Sequence, residues 1–477
     1  MLEDKTVPIR QLRPVHQVVS VRLQSRFFFS GSKRYCETLR SKADPNRRKL
    51  LLTLTLVAPA FVLYLNTLKV WPMVLARHAN DVAVLSAHGS TSSQTSVPRI
   101  WRFSKADSEV RQVVFAKVHK AASSTVQNIL LRFAIFRDLK VLMGNQRVHL
   151  SDRVSKISNI IPHPGGQDKT FDILCSHVIY DAREIAKYFK ESAVRVAILR
   201  EPLHQAVSAL AYYSTKWPSK ALKAGQQKHP TDPINGFLQH PEDFYNLFTG
   251  PTQSYINNRM SVDLGFGLET FEQSKRSMPK IKAFLKQVEE QFDLVLISDY
   301  FHESMILMKR YLKWSMKDIV FRKNNEAKFK NDSIWRKEIK MTPAISQNFR
   351  KWNLVDYELY EHFKPIFLRK IQQEPMFEEE VTAYKNVLTE VEKYCSTNAK
   401  TQKFYYVPKN EWTEGFVVTS FDCELMIMSE MKFVRYAQKI QWKRYTNAHT
   451  EKLTLHGENL GSNATGKPPT ARDQKLN

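Results

Sequence analysis

Four short apolar segments, each followed by a polar loop and a helical pattern, most strongly constrain what this chain can fold into. The segments are Val113–Ala116, Phe171–Cys175, Val194–Leu199 and Phe292–Ile297. Strands that alternate with helices form a parallel sheet with helices on both faces. We therefore predict an α/β fold with a central parallel sheet flanked by helices, in which ligands bind beyond the carboxyl ends of the strands.

The helices of this pattern follow the strands at short intervals. We expect them from about Ser123 to Phe136, over Ala182–Phe189, from about Pro202 to Tyr213, and through about Leu312. In the first, apolar residues at helical spacing fall on one face.

The charge of the chain indicates an anionic partner. Lys and Arg outnumber Asp and Glu by 72 to 47 in 477 residues, a net charge of +25. Such a bias favours a nucleotide, a polyanion, nucleic acid or a membrane surface, unless it is only a basic tail and a solvated surface. Residues 1–49 hold 12 of the basic residues against 4 acidic ones, so most of the excess lies in the remaining chain.

An uncharged stretch from Leu50 to Leu68 predicts a transmembrane helix. Its 19 residues span roughly 28 Å at about 1.5 Å per residue, enough for a thin bilayer. Arg47, Arg48 and Lys49 precede it, so the positive-inside rule places the N-terminus in the cytoplasm and the bulk of the chain in the lumen. A cleaved signal peptide, suggested by Ala58-Pro59-Ala60, and a buried core helix are the alternatives.

These features divide the chain into five parts. We expect a cytoplasmic basic tail at 1–48, a transmembrane signal anchor at 49–69, a Ser/Thr-rich stem or linker at 70–109, a luminal catalytic domain at 110–445, and a disordered tail at 446–477. The acceptors for N-glycosylation at Asn331 and Asn463 are consistent with a luminal location of the domain.

The junction between the first strand and its helix has the composition of a phosphate cradle. It reads KVHKAASST from Lys117 to Thr125. A helix N-terminus offers free N–H groups and a positive dipole end, to which Lys120 adds a full charge and Ser123, Ser124 and Thr125 add hydroxyl donors. The ordinary alternative is a Ser/Thr helix cap with nearby lysines. GxxxxGK[ST] is absent, so the loop is not a Walker A motif.

A second junction places an arginine at the end of the third segment. Arg200 ends the apolar run, and Ser208 follows two turns into the next helix. An arginine can grip a phosphate with two hydrogen bonds and a serine can donate a third. A surface ion pair of Arg200 with Glu201 is the alternative.

Taken together, the two junctions resemble the galactose 3-O-sulfotransferase (galactosylceramide sulfotransferase) family. The matching text is KVHKAASSTVQNILLRF from Lys117, ILREPLHQAVSALAYY from Ile198, Asn258-Arg-Met260 with Asp263-Leu-Gly265-Phe266, and VLISDYFHESMILMKRYLKW from Val295. The resemblance covers roughly residues 110–440. It implies a P-loop-like sulfotransferase fold and the donor PAPS (3'-phosphoadenosine-5'-phosphosulfate), with no metal.

The resemblance also implies roles for individual residues. Lys117, Lys120, Ser123, Ser124 and Thr125 would hold the 5'-phosphosulfate. Arg200 and Ser208 would hold the 3'-phosphate. Lys120 would also neutralise the leaving phosphate, and His119 or His177 would take the proton from the acceptor hydroxyl, because histidine is a base near neutral pH.

Two loop positions depart from the expected pattern. Val118 and Ala121 stand where threonine is expected, and each lost hydroxyl removes one potential phosphate contact. The departures are compatible with an inactive, membrane-anchored binding protein. A phosphoryl-transfer enzyme is a further alternative.

The resemblance further implies a location and a set of partners. We expect a single-pass type II protein of the Golgi membrane that acts on a galactose-terminated glycolipid or glycoprotein glycan. Another glycan, such as a glycosaminoglycan, is the alternative acceptor. Nucleic acid is not expected as a partner, and a homodimer is allowed.

Four cysteines are too few for a disulfide scaffold. Cys36 lies in the predicted cytoplasmic tail and is expected to be reduced, and Cys175 lies in an apolar strand and is expected to be a buried thiol. Cys395 and Cys423 are the candidates for a disulfide, although spacing alone does not fix the pairing.

Overall fold

The computed structural model describes residues 98–102, 105–145, 149–151, 155–166, 169–214, 227, 230–231, 233–241, 254–267, 270–322, 342–399 and 401–455. The predicted anchor at Leu50–Leu68, Cys36 and both glycosylation acceptors lie outside these residues. Among the helices that are described, none is both long and apolar enough to cross a lipid bilayer.

A four-stranded parallel sheet forms the centre of the fold. Its strands are β1 (Val113–Ala116), β2 (Ile173–Leu174), β3 (Val194–Leu199) and β4 (Leu294–Ile297), and their order across the sheet is β2-β1-β3-β4. Every neighbouring pair is parallel, and every residue of the four strands is buried. The predicted parallel sheet is confirmed.

Helices flank this sheet. Before β4 they are α1 (Arg99–Arg102), α2 (Ser123–Phe136), α3 (Ala182–Ile185), α4 (Pro202–Ser214), α5 (Pro233–Gln239), α6 (Arg259–Asp263), α7 (Phe271–Ser274) and α8 (Met278–Gln291). After β4 they are α9 (Phe301–Leu312), α10 (Met316–Ile319), α11 (Pro343–Trp352), α12 (Leu354–Gln372), α13 (Phe377–Lys393), α14 (Ser420–Ile427) and α15 (Glu430–Leu455).

The elements differ from the sequence predictions mainly at their ends. Strand β2 has two residues instead of five, and α3 ends at Ile185 rather than Phe189. After Ile185 the backbone forms tighter turns. The N–H of Lys187 donates to the carbonyl of Glu184 and that of Tyr188 to the carbonyl of Ile185, each three residues earlier. Helix α1 lies in the stretch assigned to the stem, yet Ile100 is buried and Arg99 pairs with Asp293 at 2.7 Å.

The C-terminal part adds a hairpin and two helices. Strands β5 (Phe404–Val407) and β6 (Phe416–Thr419) pair antiparallel and lead into α14. Helix α15 continues to Leu455, beyond the domain end expected at residue 445. It is held against the sheet by Gln441, whose amide exchanges two hydrogen bonds of 2.7 Å with the backbone of Val141.

The three cysteines among the described residues are placed as the sequence predicts. Cys395 and Cys423 form a disulfide, which joins a short π-helical segment after α13 to α14. Cys175 is a buried free thiol, and burial raises its pKa to about 12. Both predictions are confirmed.

Removing the disulfide should destabilise the protein. A cross-link over a sequence separation of 28 residues is worth about 3 kcal/mol of unfolding free energy in the chain-entropy model. The double variant Cys395→Ala/Cys423→Ala should lose about that much in denaturant titrations. Dithiothreitol should lower the stability of the wild type to that of the variant and leave the variant unchanged. Equal stability of the two oxidised proteins would contradict the prediction.

Candidate functional site

Two polar junctions meet at the carboxyl edge of the sheet. The loop after β1 lies between the ends of β2 and β3, because β1 pairs with both strands. Arg200 follows β3, and its guanidinium Nη1 donates to the carbonyl of Lys120 at 3.0 Å. The two segments that the sequence singles out are therefore one site, located where parallel sheets bind their ligands.

The loop after β1 turns sharply into α2. Lys120 and Ala122 both have left-handed backbones, with φ of 60° and 59°, and for non-glycine residues this conformation costs of order 1 kcal/mol or more. Ala122 is the N-cap and offers no side-chain acceptor. The first N–H groups of α2 therefore lack a capping side chain, as an anion-binding helix terminus requires.

The two departures from the expected loop sequence face the protein interior. Val118 and Ala121 are fully buried, whereas Lys120, Ser124 and Thr125 are half-buried. Ser123 is buried and its hydroxyl donates to the carbonyl of Val118. A hydroxyl at 118 or 121 would point into the core, so the expected loss of a phosphate contact at these positions is not supported.

Lys117 lies beneath the loop and is committed to protein partners. Its side chain is almost completely buried. The ammonium lies 3.1 Å from the Glu430 carboxylate, 3.1 Å from Nε2 of His177 and 3.2 Å from the Ser124 hydroxyl. The Ser124 hydroxyl in turn donates to Glu430 at 2.9 Å. In this arrangement Lys117 and Ser124 bind each other and Glu430.

Lys120 and Arg200 place two cations beside the loop after β1. The Lys120 ammonium lies 4.0 Å from the centre of the Tyr212 ring, a cation–π contact. Burial lowers the pKa of Arg200 from its ordinary value, although an arginine remains charged at any physiological pH. Ser208 lies in α4, half-buried.

The two candidate bases stack on each other. The rings of His119 and His177 have centroids 3.9 Å apart and an interplanar angle of 18°. Both nitrogens of His177 have partners, since Nε2 faces the Lys117 ammonium and Nδ1 lies 3.1 Å from the Lys117 carbonyl. An ammonium can only donate and a carbonyl can only accept, so His177 carries its proton on Nδ1 and has no nitrogen left for a ligand.

His119 is held differently, by a buried carboxylate. Its Nδ1 lies 2.8 Å and 3.0 Å from the two oxygens of Asp263, and its backbone N–H donates to the same carboxylate at 2.7 Å. Arg259 lies 3.2 Å from Nδ1 but donates to Asp263 at 3.0 Å. The carboxylate therefore fixes the proton on Nδ1 and leaves Nε2 as an acceptor. No hydrogen bond to Nε2 is found among the described residues.

The surroundings keep both imidazoles neutral. Burial, followed by the charges of Arg259 and Lys117, holds the pKa of His119 well below its ordinary value of 6.5. Burial, His119 and Lys117 lower the pKa of His177 in the same direction. Burial also raises the pKa of Asp263, against the charge of Arg259. A neutral imidazole with one free nitrogen can accept a proton at physiological pH.

A third imidazole and Glu430 complete the side of the site next to β2. Ligand atoms of His149, His177 and Glu430 lie within 4.8 Å of one another, an arrangement that could hold a metal ion. The Lys117 ammonium, however, lies 3.1 Å from both His177 and Glu430. An ammonium therefore already supplies the positive charge that this group of side chains can bind.

Three partners of the site were not predicted in the positions that they take, although Asp263 is an alternative candidate for the base if neither histidine serves. Asp263 and Arg259 belong to one of the sequence matches, and their spacing of four places them on one face of a helix, a signal that could have paired them. Glu430 lies 306 residues from the serine that it contacts. No local pattern in the sequence marks it.

Comparisons with known proteins agree with the sequence resemblance. The family model described as galactose-3-O-sulfotransferase matches residues 38–404. Galactose-3-O-sulfotransferase 2 of Sus scrofa is 32% identical over 269 residues, 56% of this chain and 63% of its own length. Galactosylceramide sulfotransferase of Bos taurus is 29% identical over 264 residues, 55% of this chain and 58% of its own length. The chain thus matches less than two thirds of the length of these relatives.

The neutral histidine pair leads to a prediction for NMR titration. His119 and His177 should titrate below 6.5, whereas His204, whose pKa is raised by a hydrogen bond to Asp299, should titrate above it. Unfolded histidines take up protons near pH 6.5 and the buried pair does not, so the unfolding free energy should fall as pH drops below that value. Imidazole signals assigned by single His→Gln substitutions provide the measurement. A pKa of 6.5 or higher for His119 would refute it.

Proposed function

The chain belongs to the galactose-3-O-sulfotransferase family, and on that premise we propose that it transfers a sulfuryl group from PAPS to the 3-hydroxyl of a galactose residue on a glycolipid or glycoprotein. The observation that carries the proposal is the uncapped N-terminus of α2 beside Lys120 and Arg200, with a neutral imidazole in the same loop.

The loop has the properties that a phosphosulfate donor needs. The first N–H groups of α2 and the Lys120 ammonium can bind the 5'-phosphosulfate, and the Arg200 guanidinium, 3.0 Å from the loop backbone, can bind the 3'-phosphate together with Ser208. These are donors and cations in a partly dehydrated setting, where they bind anions more strongly than in water. Val118 and Ala121 face the core, so they remove nothing from this surface.

His119 is the base of the proposed reaction. Its free Nε2 takes the proton of the galactose 3-hydroxyl while the 3-oxygen bonds to sulfur and the bond from sulfur to the phosphate oxygen breaks. Lys120 lies beside the charge that develops on the leaving phosphate. Asp263 holds the imidazole in the required tautomer and stabilises it when protonated, as a carboxylate does in other histidine-dependent enzymes. His177 supports the His119 ring by stacking.

A transfer assay tests the proposal directly. Purified protein is incubated with PAPS labelled with ³⁵S and a panel of β-galactosides, with ATP as the competing donor and a glycosaminoglycan as the competing acceptor. Label should appear on galactose O3. Transfer of phosphate from ATP, or binding of galactosides without any transfer, would reject the proposal in favour of a kinase or an inactive binding protein.

Lys120 and Arg200 should have different kinetic signatures. Lys120→Ala should lower kcat by about 10²–10³ with a smaller change in donor affinity, because the charge matters most in the transition state. Arg200→Ala should raise the donor KM by roughly 10–100-fold, since the 3'-phosphate does not react and a charged hydrogen bond is worth about 1.5–3 kcal/mol.

Lys187→Ala is the matched control, because that ammonium is exposed and lies outside the site. Its kinetics should equal those of the wild type. The same change in kcat and KM for Lys120→Ala and Arg200→Ala would contradict the assigned roles.

We also propose that the protein is a single-pass type II protein of the Golgi membrane. The proposal is supported by the apolar stretch Leu50–Leu68 and the basic residues that precede it. In sealed microsomes, added protease should remove only the N-terminal 48 residues and spare those after about 70. Digestion of the catalytic part without detergent would exclude this orientation.

A further inference from the structure

The proposed donor orientation determines on which side of the loop the acceptor must lie. Arg200 follows β3, on one side of β1, and His177 follows β2, on the other side. If the nucleotide extends from the loop toward Arg200, its leaving phosphate lies toward β3. In-line transfer places the attacking oxygen opposite the leaving oxygen, so the acceptor sugar approaches from the β2 side.

The β2 side of the site is formed by His177, His149 and Glu430. The His149 ring stands edge-on to His177 at 5.1 Å between centroids, and its Nδ1 lies 4.0 Å from Glu430. Glu430 comes from the first turn of α15, beyond residue 404 where the family match ends. A residue outside the matched part of the chain therefore contributes to the acceptor side of the site.

Glu430 has hydrogen-bonding capacity to spare. An ionised carboxylate can accept about four hydrogen bonds. Oε2 accepts one from Ser124, and Oε1 lies 3.1 Å from the Lys117 ammonium in an ion pair. Oε1 is shielded from solvent and receives no hydrogen bond of good geometry from the described residues. The side chain as a whole keeps 22% of its surface exposed, so an incoming hydroxyl would bond to Oε2, which accepts one hydrogen bond from Ser124.

We propose that Glu430 is a specificity-determining residue that accepts a hydrogen bond from a hydroxyl of the acceptor sugar next to the reacting one. The inference rests on the proposed function. The candidate hydroxyls are those on C2 and C4 of galactose, which flank the 3-hydroxyl. A carboxylate that is anchored by Lys117 and Ser124 and ends beside His149 and His177 is fixed in direction, so it can distinguish sugars by the position of one hydroxyl.

A different role for Glu430 would have different consequences. As a mere counter-ion of Lys117, it would hold the donor loop in place, and its loss would weaken donor binding and stability. As an acceptor ligand, its loss should chiefly weaken acceptor binding. The two roles are separated by measuring acceptor KM, donor affinity and stability on the same variants.

Glu430→Gln is the central variant, because it preserves shape and removes the charge. We expect its KM for a β-galactoside to rise roughly 10–100-fold, as for the loss of a hydrogen bond to a charged group. Its calorimetric affinity for the desulfated donor, 3'-phosphoadenosine-5'-phosphate, should stay within about twofold of the wild type. Glu424→Gln, at an exposed position in α14, is the matched control and should leave both quantities unchanged.

Deoxy sugars identify the hydroxyl. Of the 2-deoxy and 4-deoxy galactosides, one should lose as much kcat/KM with the wild type as Glu430→Gln loses with the intact sugar. With the variant, the same analogue should lower kcat/KM only slightly, because the variant already lacks the hydrogen bond to that hydroxyl. If Glu430→Gln does not fold, Glu430→Asp retains the charge for Lys117 on a shorter stem, and it should show the same shift in acceptor KM and reduced sensitivity to the analogue.

Three results would overturn the inference. They are an unchanged acceptor KM, a loss of donor affinity as large as the loss of acceptor affinity, and undiminished sensitivity of the variants to both deoxy sugars. A wild type that transfers nothing from PAPS to galactosides would overturn the proposed function, and this inference with it. Transfer by the wild type with any of the three results would overturn the inference alone.

Discussion

The buried ammonium of Lys117 is the interaction on which the site depends. Removing a charge from water costs several kcal/mol unless it is paired and hydrogen-bonded. Here the partners come from three distant parts of the chain: Ser124 at the start of α2, His177 after β2, and Glu430 at the start of α15. Pairing this one charge therefore requires the loop after β1, the end of β2 and the start of α15 to come together.

The same ammonium gives the two histidines different surroundings. By facing Nε2 of His177 it occupies that nitrogen, and its charge helps to keep His119 neutral. Asp263 and Arg259 complete the opposite side of His119, so one imidazole is fixed by a cation and the other by an anion. Two histidines that look equivalent in the sequence are different in the fold because their partners differ.

The architecture and the two junctions could be predicted from the sequence because their signals are local. An apolar run, a polar loop and a helical pattern lie within about 25 residues of one another, and parallel pairing then brings Arg200 to the loop. The roles of the histidines could not be predicted, since the contacts of His119 with Asp263 span 144 residues. The burial of Val118 and Ala121 likewise depends on the direction of each side chain, which composition does not reveal.

The segment after residue 404 shows how a site can depend on a part of the chain that the family match does not include. The disulfide joins α14 to the π-helical segment after α13, and Gln441 joins α15 to Val141 at the edge of the sheet. Glu430 lies between these two attachments, at the point where α15 begins. Each attachment restricts where that carboxylate can lie, and neither touches the donor loop. A change in the disulfide or in α15 should therefore affect the proposed reaction through the position of Glu430. A change in α4 should instead affect it through binding of the donor.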